Sequence, residues 1–140
     1  MAATIIDGNQ ISADMREEIA GQVAGFKQEH GVTPGLAVVL VGEDPASQVY
    51  VGKKEEACAA AGMNSFKHVL PDSTSEAELL ELIDRLNSQD DVHGILVQLP
   101  LPEQIDTNNV LYAINPDKDV DGFHPVNVGR LMIGEPLFPP

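Results

Sequence analysis

The chain has 140 residues, 43% of them apolar, with 8 Lys plus Arg against 22 Asp plus Glu and a formal net charge of −14. That length and apolar content suit one domain with a real core, and the negative charge excludes nucleic acid and anionic membranes as partners, because both would be repelled. No stretch approaches the roughly 20 apolar residues of a membrane span, MAATIIDGNQ lacks a charged-then-apolar signal pattern, and a cytoplasmic location is expected.

From Ser12 to His30, apolar Met15, Ile19, Val23 and Phe26 recur at three- and four-residue steps, predicting a helix with one buried stripe and Gly31 as its stop. The run LAVVLVG, Leu36 to Gly42, reads as a parallel strand covered on both faces and central in its sheet. Asp44-Pro45 supplies a capping carboxylate and a proline fit for a first helical turn, opening a helix that runs to Gly62. Cys58, the lone cysteine, excludes an internal disulfide or a soft zinc cluster and is expected to fill core space. SFKHVL, Ser65 to Leu70, alternates like a half-exposed strand. Ser75 and Glu78 then form a capping box for a helix with Leu79, Leu82, Ile83 and Leu86 inward. GILVQLPLP, Gly94 to Pro102, reads as a further buried strand ended by Pro100 and Pro102, followed by a short helix near Thr107 to Ala113. The alternation predicts an α/β fold, a three-layer α/β/α domain with a mostly parallel sheet. After Asn115 the chain holds five of the ten prolines, down to Pro139-Pro140, with one helical candidate around Asn127 to Met132, and reads as site loop and linker.

Few residues are placed for chemistry. Tyr50 and Lys54 are i and i+4 on one helix face, with Ser47 a turn earlier and Lys53 turned about 100° away. Such a set can hold an aromatic substrate and move a proton, yet spacing alone favours the plainer reading, in which Tyr50 packs and Lys54 lies along the helix. Gln98 interrupts an apolar strand at its carboxyl end, where α/β sheets bind ligands; satisfaction by loop backbone explains it equally well. Asp117, Asp119 and Asp121 resemble a calcium loop only superficially, because the glycine comes one place early and the distal glutamate is missing. Asp121, beside Gly122, is better placed to accept hydrogen bonds from an amino-substituted ring, against the alternative of loop capping. His124 before Pro125 reads as structural. No metal-ligand spacing and no GxGxxG or P-loop pattern occurs, so the residues hold no metal or nucleotide fingerprint.

Three segments, SQVYVGKKEEACAAAGM, EAELLELIDRLNSQDDVHGILVQLPLP and PDKDVDGFHPVNVGRL, together resemble the bifunctional methylenetetrahydrofolate dehydrogenase/methenyltetrahydrofolate cyclohydrolase family. One departure is Gln89, where the family pattern usually has Asp or Asn. The resemblance implies a folate-binding catalytic domain over residues 1–116 and, over 117–140, a site loop and linker. That linker would lead to the family's Rossmann NADP domain, which is expected to be absent from this chain. It implies NADP as cofactor, tetrahydrofolate as substrate and a homodimer in the full-length protein. Two reactions are implied: oxidation of 5,10-methylenetetrahydrofolate to the methenyl form, and hydrolysis of that to 10-formyltetrahydrofolate. By motif position Lys54 resembles the catalytic lysine and Tyr50 the residue stacking on the folate ring system. Gln98 resembles the support of lysine and ligand, and Asp121 the carboxylate gripping the pterin's amino edge. Pro100 and Leu101 of VQLPLP fall at the substrate, and Ser47 is a more distant supporting position. Two rival readings stand beside the enzyme: a folate-binding module without turnover, and a self-associating structural domain.

Overall fold

The computed structural model describes residues 5–136, so Pro139-Pro140 lies outside the described residues. Helix α1, Gly8–His30, begins four residues before the expected Ser12, because the Asp7 carboxylate accepts the free amides of Asn9 and Gln10. It ends where expected, with Gly31 donating to the Lys27 carbonyl at 2.9 Å. The expected buried stripe is a correction: only Val23 is buried, while Met15, Ile19 and Phe26 stay 57%, 40% and 44% exposed. The reason is contact at one end only. Ala20, Val23, Ala24 and Lys27 face Ala60, Ala61 and Gly62, and no described element covers the rest of the stripe.

Strand β1, Gly35–Val41, is central between parallel neighbours β2, Asn64–Leu70, and β3, Gly94–Val97. Because β1 side chains alternate, Ala37, Val39 and Val41 meet one core and Val38 and Leu40 the other. The first core is closed by Leu79, Leu82, Ile83 and Leu86 of helix α3, Glu76–Ser88, and by Val110 of helix α4, Thr107–Ala113. Both halves of the Ser75–Glu78 capping box are formed. Val51 of helix α2, Pro45–Ala60, closes the second core. Helices therefore cover both faces of a parallel sheet, the α/β/α layering expected. Each fully buried Leu, Ile or Val contributes about 1.5–3 kcal/mol, so α3 alone anchors several times that. Cys58 is buried, and burial pushes its thiol above the ordinary range. No helix among the described residues is long and apolar enough to cross a membrane.

Two further differences position the site. Strand β3 ends at Val97, short of the expected Pro102; its last rung is the Gln98 amide on the Val39 carbonyl at 2.8 Å, and the chain then turns through a cis Leu99–Pro100 bond. Prolines offer no amide to continue the ladder. The segment after Asn115 comes back to the sheet: Ile95 donates to the Lys118 carbonyl at 2.7 Å, and Asp119 bridges to Ile95 in parallel. Gly94 permits this approach, since a Cβ there would run into Val120 and press on Leu36. Helix α5, Pro125–Met132, starts two residues before the expected Asn127 because His124 caps it, its Nδ1 accepting the Val126 amide at 3.2 Å.

Candidate active site

The carboxyl end of β3 and the returning loop bring three of the sequence-predicted residues together. Lys54, Gln98 and Asp121 line one open cavity of about 260 Å3 with Leu96, Val97, Leu99 and Phe123. Lys54 reaches it from α2 and donates from Nζ to Gln98 Oε1 at 3.1 Å. The Gln98 amide nitrogen donates to the Leu99 carbonyl at 2.9 Å. A carbonyl can only accept and an ammonium only donate, so these two partners fix which end of the amide faces the lysine. The loop-backbone reading of Gln98 holds at one end of the amide, and the other end faces Lys54 in the cavity.

Asp121 is held by its neighbour but one. Asp119 is 2% exposed, and its carboxylate accepts from the Gly122 amide at 3.0 Å, the His124 amide at 2.9 Å and Asn127 Nδ2 at 2.9 Å. Asp119 is therefore the loop cap, while Asp121, half-buried before Gly122 at φ 69, turns its carboxylate into the cavity. Burial raises the Asp121 pKa above the ordinary carboxylate range; the Lys54 ammonium pulls it partway back, and the Asp119 charge adds to the rise. Because the folded state favours the protonated form, Asp121 costs stability as pH climbs through the carboxylate range. Asp121→Asn will therefore melt higher than wild type at pH 7, and the gain will vanish near about pH 3, where both side chains are neutral. Equal or lower melting at pH 7, followed by circular dichroism, refutes this account of the carboxylate.

The other predicted residues lie apart from that cavity. Tyr50 stands on α2 one turn before Lys54, 59% exposed, with its face free to meet a ligand from solvent. Ser47 is 3% exposed and serves the cap of α2, its amide on Asp44 Oδ2 at 2.7 Å and its hydrogen bonds holding the Asp44 carboxyl below the usual range. Pro100 is exposed, and Leu101 packs against the α3 side of the core. Phe123 was not singled out from the sequence; its signal was a large aromatic in DGFHP, a loop too polar to bury it, and it stays 50% exposed beside Asp121. Among the described residues no group of three or more His, Cys, Asp or Glu is placed to hold a metal.

Comparison with known proteins fits this geometry. The family model for the tetrahydrofolate dehydrogenase/cyclohydrolase catalytic domain matches residues 6–121, a span that holds Lys54, Gln98 and Asp121. Bifunctional protein FolD 2 of Geobacter metallireducens is 62% identical over 99% of this chain and 48% of its own length. Bifunctional protein FolD of Geotalea uraniireducens is 63% identical over 99% and 49%. The chain thus spans about half the length of the curated relatives it matches. Among solved structures, the Campylobacter jejuni FolD methylenetetrahydrofolate dehydrogenase/cyclohydrolase superposes with a TM-score of 0.91 at 47% identity, over 95% of this chain and 47% of that one. The Trypanosoma brucei enzyme, complexed with NADP cofactor and inhibitor, superposes with a TM-score of 0.94 at 38% identity, over 100% and 48%. With the motifs, the layering and the family match in agreement, the chain belongs to the tetrahydrofolate dehydrogenase/cyclohydrolase family.

Proposed function

We propose that the cavity between Lys54 and Asp121 binds the pterin end of a tetrahydrofolate carrying a one-carbon unit. The reading extends to both reactions: oxidation of the 5,10-methylene bridge and hydrolysis of the methenyl product to 10-formyltetrahydrofolate. The observation that carries it is the hydrogen bond from Lys54 Nζ to Gln98 Oε1, which aims a cation across the cavity toward an otherwise unpaired carboxylate. Asp121 suits the amino edge of a pterin, a donor edge matched to a carboxylate. Tyr50 and Phe123 offer exposed rings for the planar parts. Lys54 has donor capacity beyond Gln98, so it can hold a water at the methenyl carbon and pass a proton to the departing ring nitrogen, directly or through Tyr50.

The described residues do not fit a dinucleotide: they form one three-stranded sheet, and no GxGxxG turn opens any helix. NADP is therefore assigned to the part of the relatives' length that this chain does not span, and residues 1–116 with the loop from 117 supply the folate side. We place the protein in the cytoplasm and read it as half of a homodimer when full-length. Exposed Ile11, Met15 and Ile19 of α1, with Val126, Val128, Leu131 and Met132 of α5, favour burial of these faces by further protein.

Calorimetric titration with 5-formyltetrahydrofolate tests the binding reading. Wild type will bind, and Asp121→Ala will bind roughly ten- to a hundredfold more weakly, the range for a lost charge-assisted hydrogen-bond pair. Equal affinity removes Asp121 from the site.

A further inference from the structure

The loop that presents Asp121 carries a reactive pair in its own backbone. Gly122 sits at φ 69, where any side chain is strained, so the turn asks for glycine there. The cavity asks for an acid at the position before it. Two separate demands thus place an aspartate directly before a glycine, the dipeptide in which a backbone amide is least hindered in attacking the preceding side-chain carboxyl. Burial, partly offset by the Lys54 ammonium and reinforced by the Asp119 charge, keeps the Asp121 carboxyl protonated to higher pH than an exposed aspartate, and the protonated acid is the form that loses its hydroxyl. Asp119 stands in the way. Its Oδ1 accepts the Gly122 amide at 3.0 Å, while its Oδ2 is held by the His124 amide and Asn127 Nδ2. The Gly122 nitrogen therefore faces one carboxylate, buried in the loop, and the carboxyl it would attack is turned away into the cavity. Attack also requires that the amide lose its proton, and a full negative charge at hydrogen-bond distance opposes that loss.

We propose that Asp121–Gly122 is a self-modification site, where aspartate converts to isoaspartate when the loop opens, and that the Asp119 carboxylate is the latch that holds the reaction off. The step is intramolecular. The Gly122 nitrogen bonds to the Asp121 side-chain carboxyl carbon, the amide proton and the carboxyl hydroxyl leave together as one water, and a five-membered succinimide forms. Water then adds back at one of its two carbonyls. Opening at the side-chain carbonyl restores aspartate; opening at the main-chain carbonyl gives isoaspartate, whose backbone runs through the former side chain with one extra methylene. The acid that remains is the former main-chain carbonyl, so the product takes the carboxylate out of the place where it shares a cavity with Lys54 and Gln98. Local opening of the loop, not global unfolding, sets the rate in the native protein.

The test is peptide mapping of the protein as its gene encodes it, after prolonged incubation near neutral pH. Trypsin releases Asp121–Gly122 in peptide 119–130 and the chain's other Asp-Gly pair, Asp7–Gly8, in peptide 1–16, and each is resolved into aspartyl and isoaspartyl forms against synthetic standards. Native wild type will accumulate isoaspartate at 121 roughly ten- to a hundredfold more slowly than wild type in urea, the factor that one hydrogen bond to a charged acceptor gives the closed loop. Asp119→Ala in native buffer will recover most of that factor at 121, while Asp7–Gly8 keeps its wild-type rate. Val110→Ala, which opens a cavity in the core and leaves the Asp119 bonds in place, will match wild type at 121. Absence of isoaspartate at 121 in urea, or equal rates there in native and urea-treated wild type, overturns the site. An unchanged rate in Asp119→Ala, a rise shared by Asp7–Gly8, or the same rise in Val110→Ala overturns the latch.

Discussion

Replacing Lys54 with Met in the protein as its gene encodes it will reduce methenyltetrahydrofolate hydrolysis by roughly a hundred- to ten-thousandfold, the span of a lost general acid–base group. Methionine keeps the unbranched stem on α2 and removes only the donor. Lys54 is half-buried and hydrogen-bonds a neutral amide; its loss removes the cation that lowers the Asp121 pKa, but Asp121 is itself only half-buried and can take up a proton instead. The variant will therefore fold and still bind folate through Asp121, which separates a chemical defect from a structural one. Loss of methenyl absorbance at the wild-type rate would sink the role assigned to Lys54. Gln98→Leu, which frees the ammonium without removing it, will lose less than Lys54→Met, because the amide aims the lysine and does not itself carry the proton.

The largest stability effect will come from a residue outside the cavity. Asp119→Ala will cost about 3 kcal/mol in urea unfolding, since it strands the Gly122 and His124 amides and leaves Asn127 Nδ2 with its bond to the Pro116 carbonyl alone. A loss under about 1 kcal/mol would show that water replaces the carboxylate and that the loop does not depend on it. Folate affinity will fall together with stability, because the turn that presents Asp121 is built on those bonds. Asp119→Asn, which keeps an acceptor and the shape, will lie between.

Much of the fold is legible in the sequence, and the differences share a cause. Local signals were sound: the Asp44 cap, the Ser75–Glu78 box, the apolar run of β1 and the bounds of α4 depend on neighbours within a few residues. What the sequence could not show was which surface meets which. The 3.6-residue stripe of α1 correctly groups Met15, Ile19 and Phe26 on one side, but periodicity does not supply the layer that would cover it. In DKDVDG the carboxylates at 119 and 121 look alike on paper; only the approach of Lys118 to Ile95 decides that one is turned inward to hold the loop and the other outward to the cavity. Ser47 shares the face of Tyr50 by spacing, yet the first turn of α2 claims it. For Gln98 a strand-end position cannot tell ligand binding from loop satisfaction, and the amide's partners come from the turn after β3 and from α2.

The parallel bridge between Ile95 and Asp119 has a consequence for recognition. Gln98 lies just past the end of β3, three residues after Ile95, and Asp121 two residues after Asp119 on the segment bonded to it, so the bridge fixes the spacing of the amide and the carboxylate. Lys54 reaches the same cavity from a different element, α2. A substitution that repacks α2 therefore alters the reach of the lysine, while one that disturbs the bridge alters the spacing of the other two groups and leaves the lysine where it is.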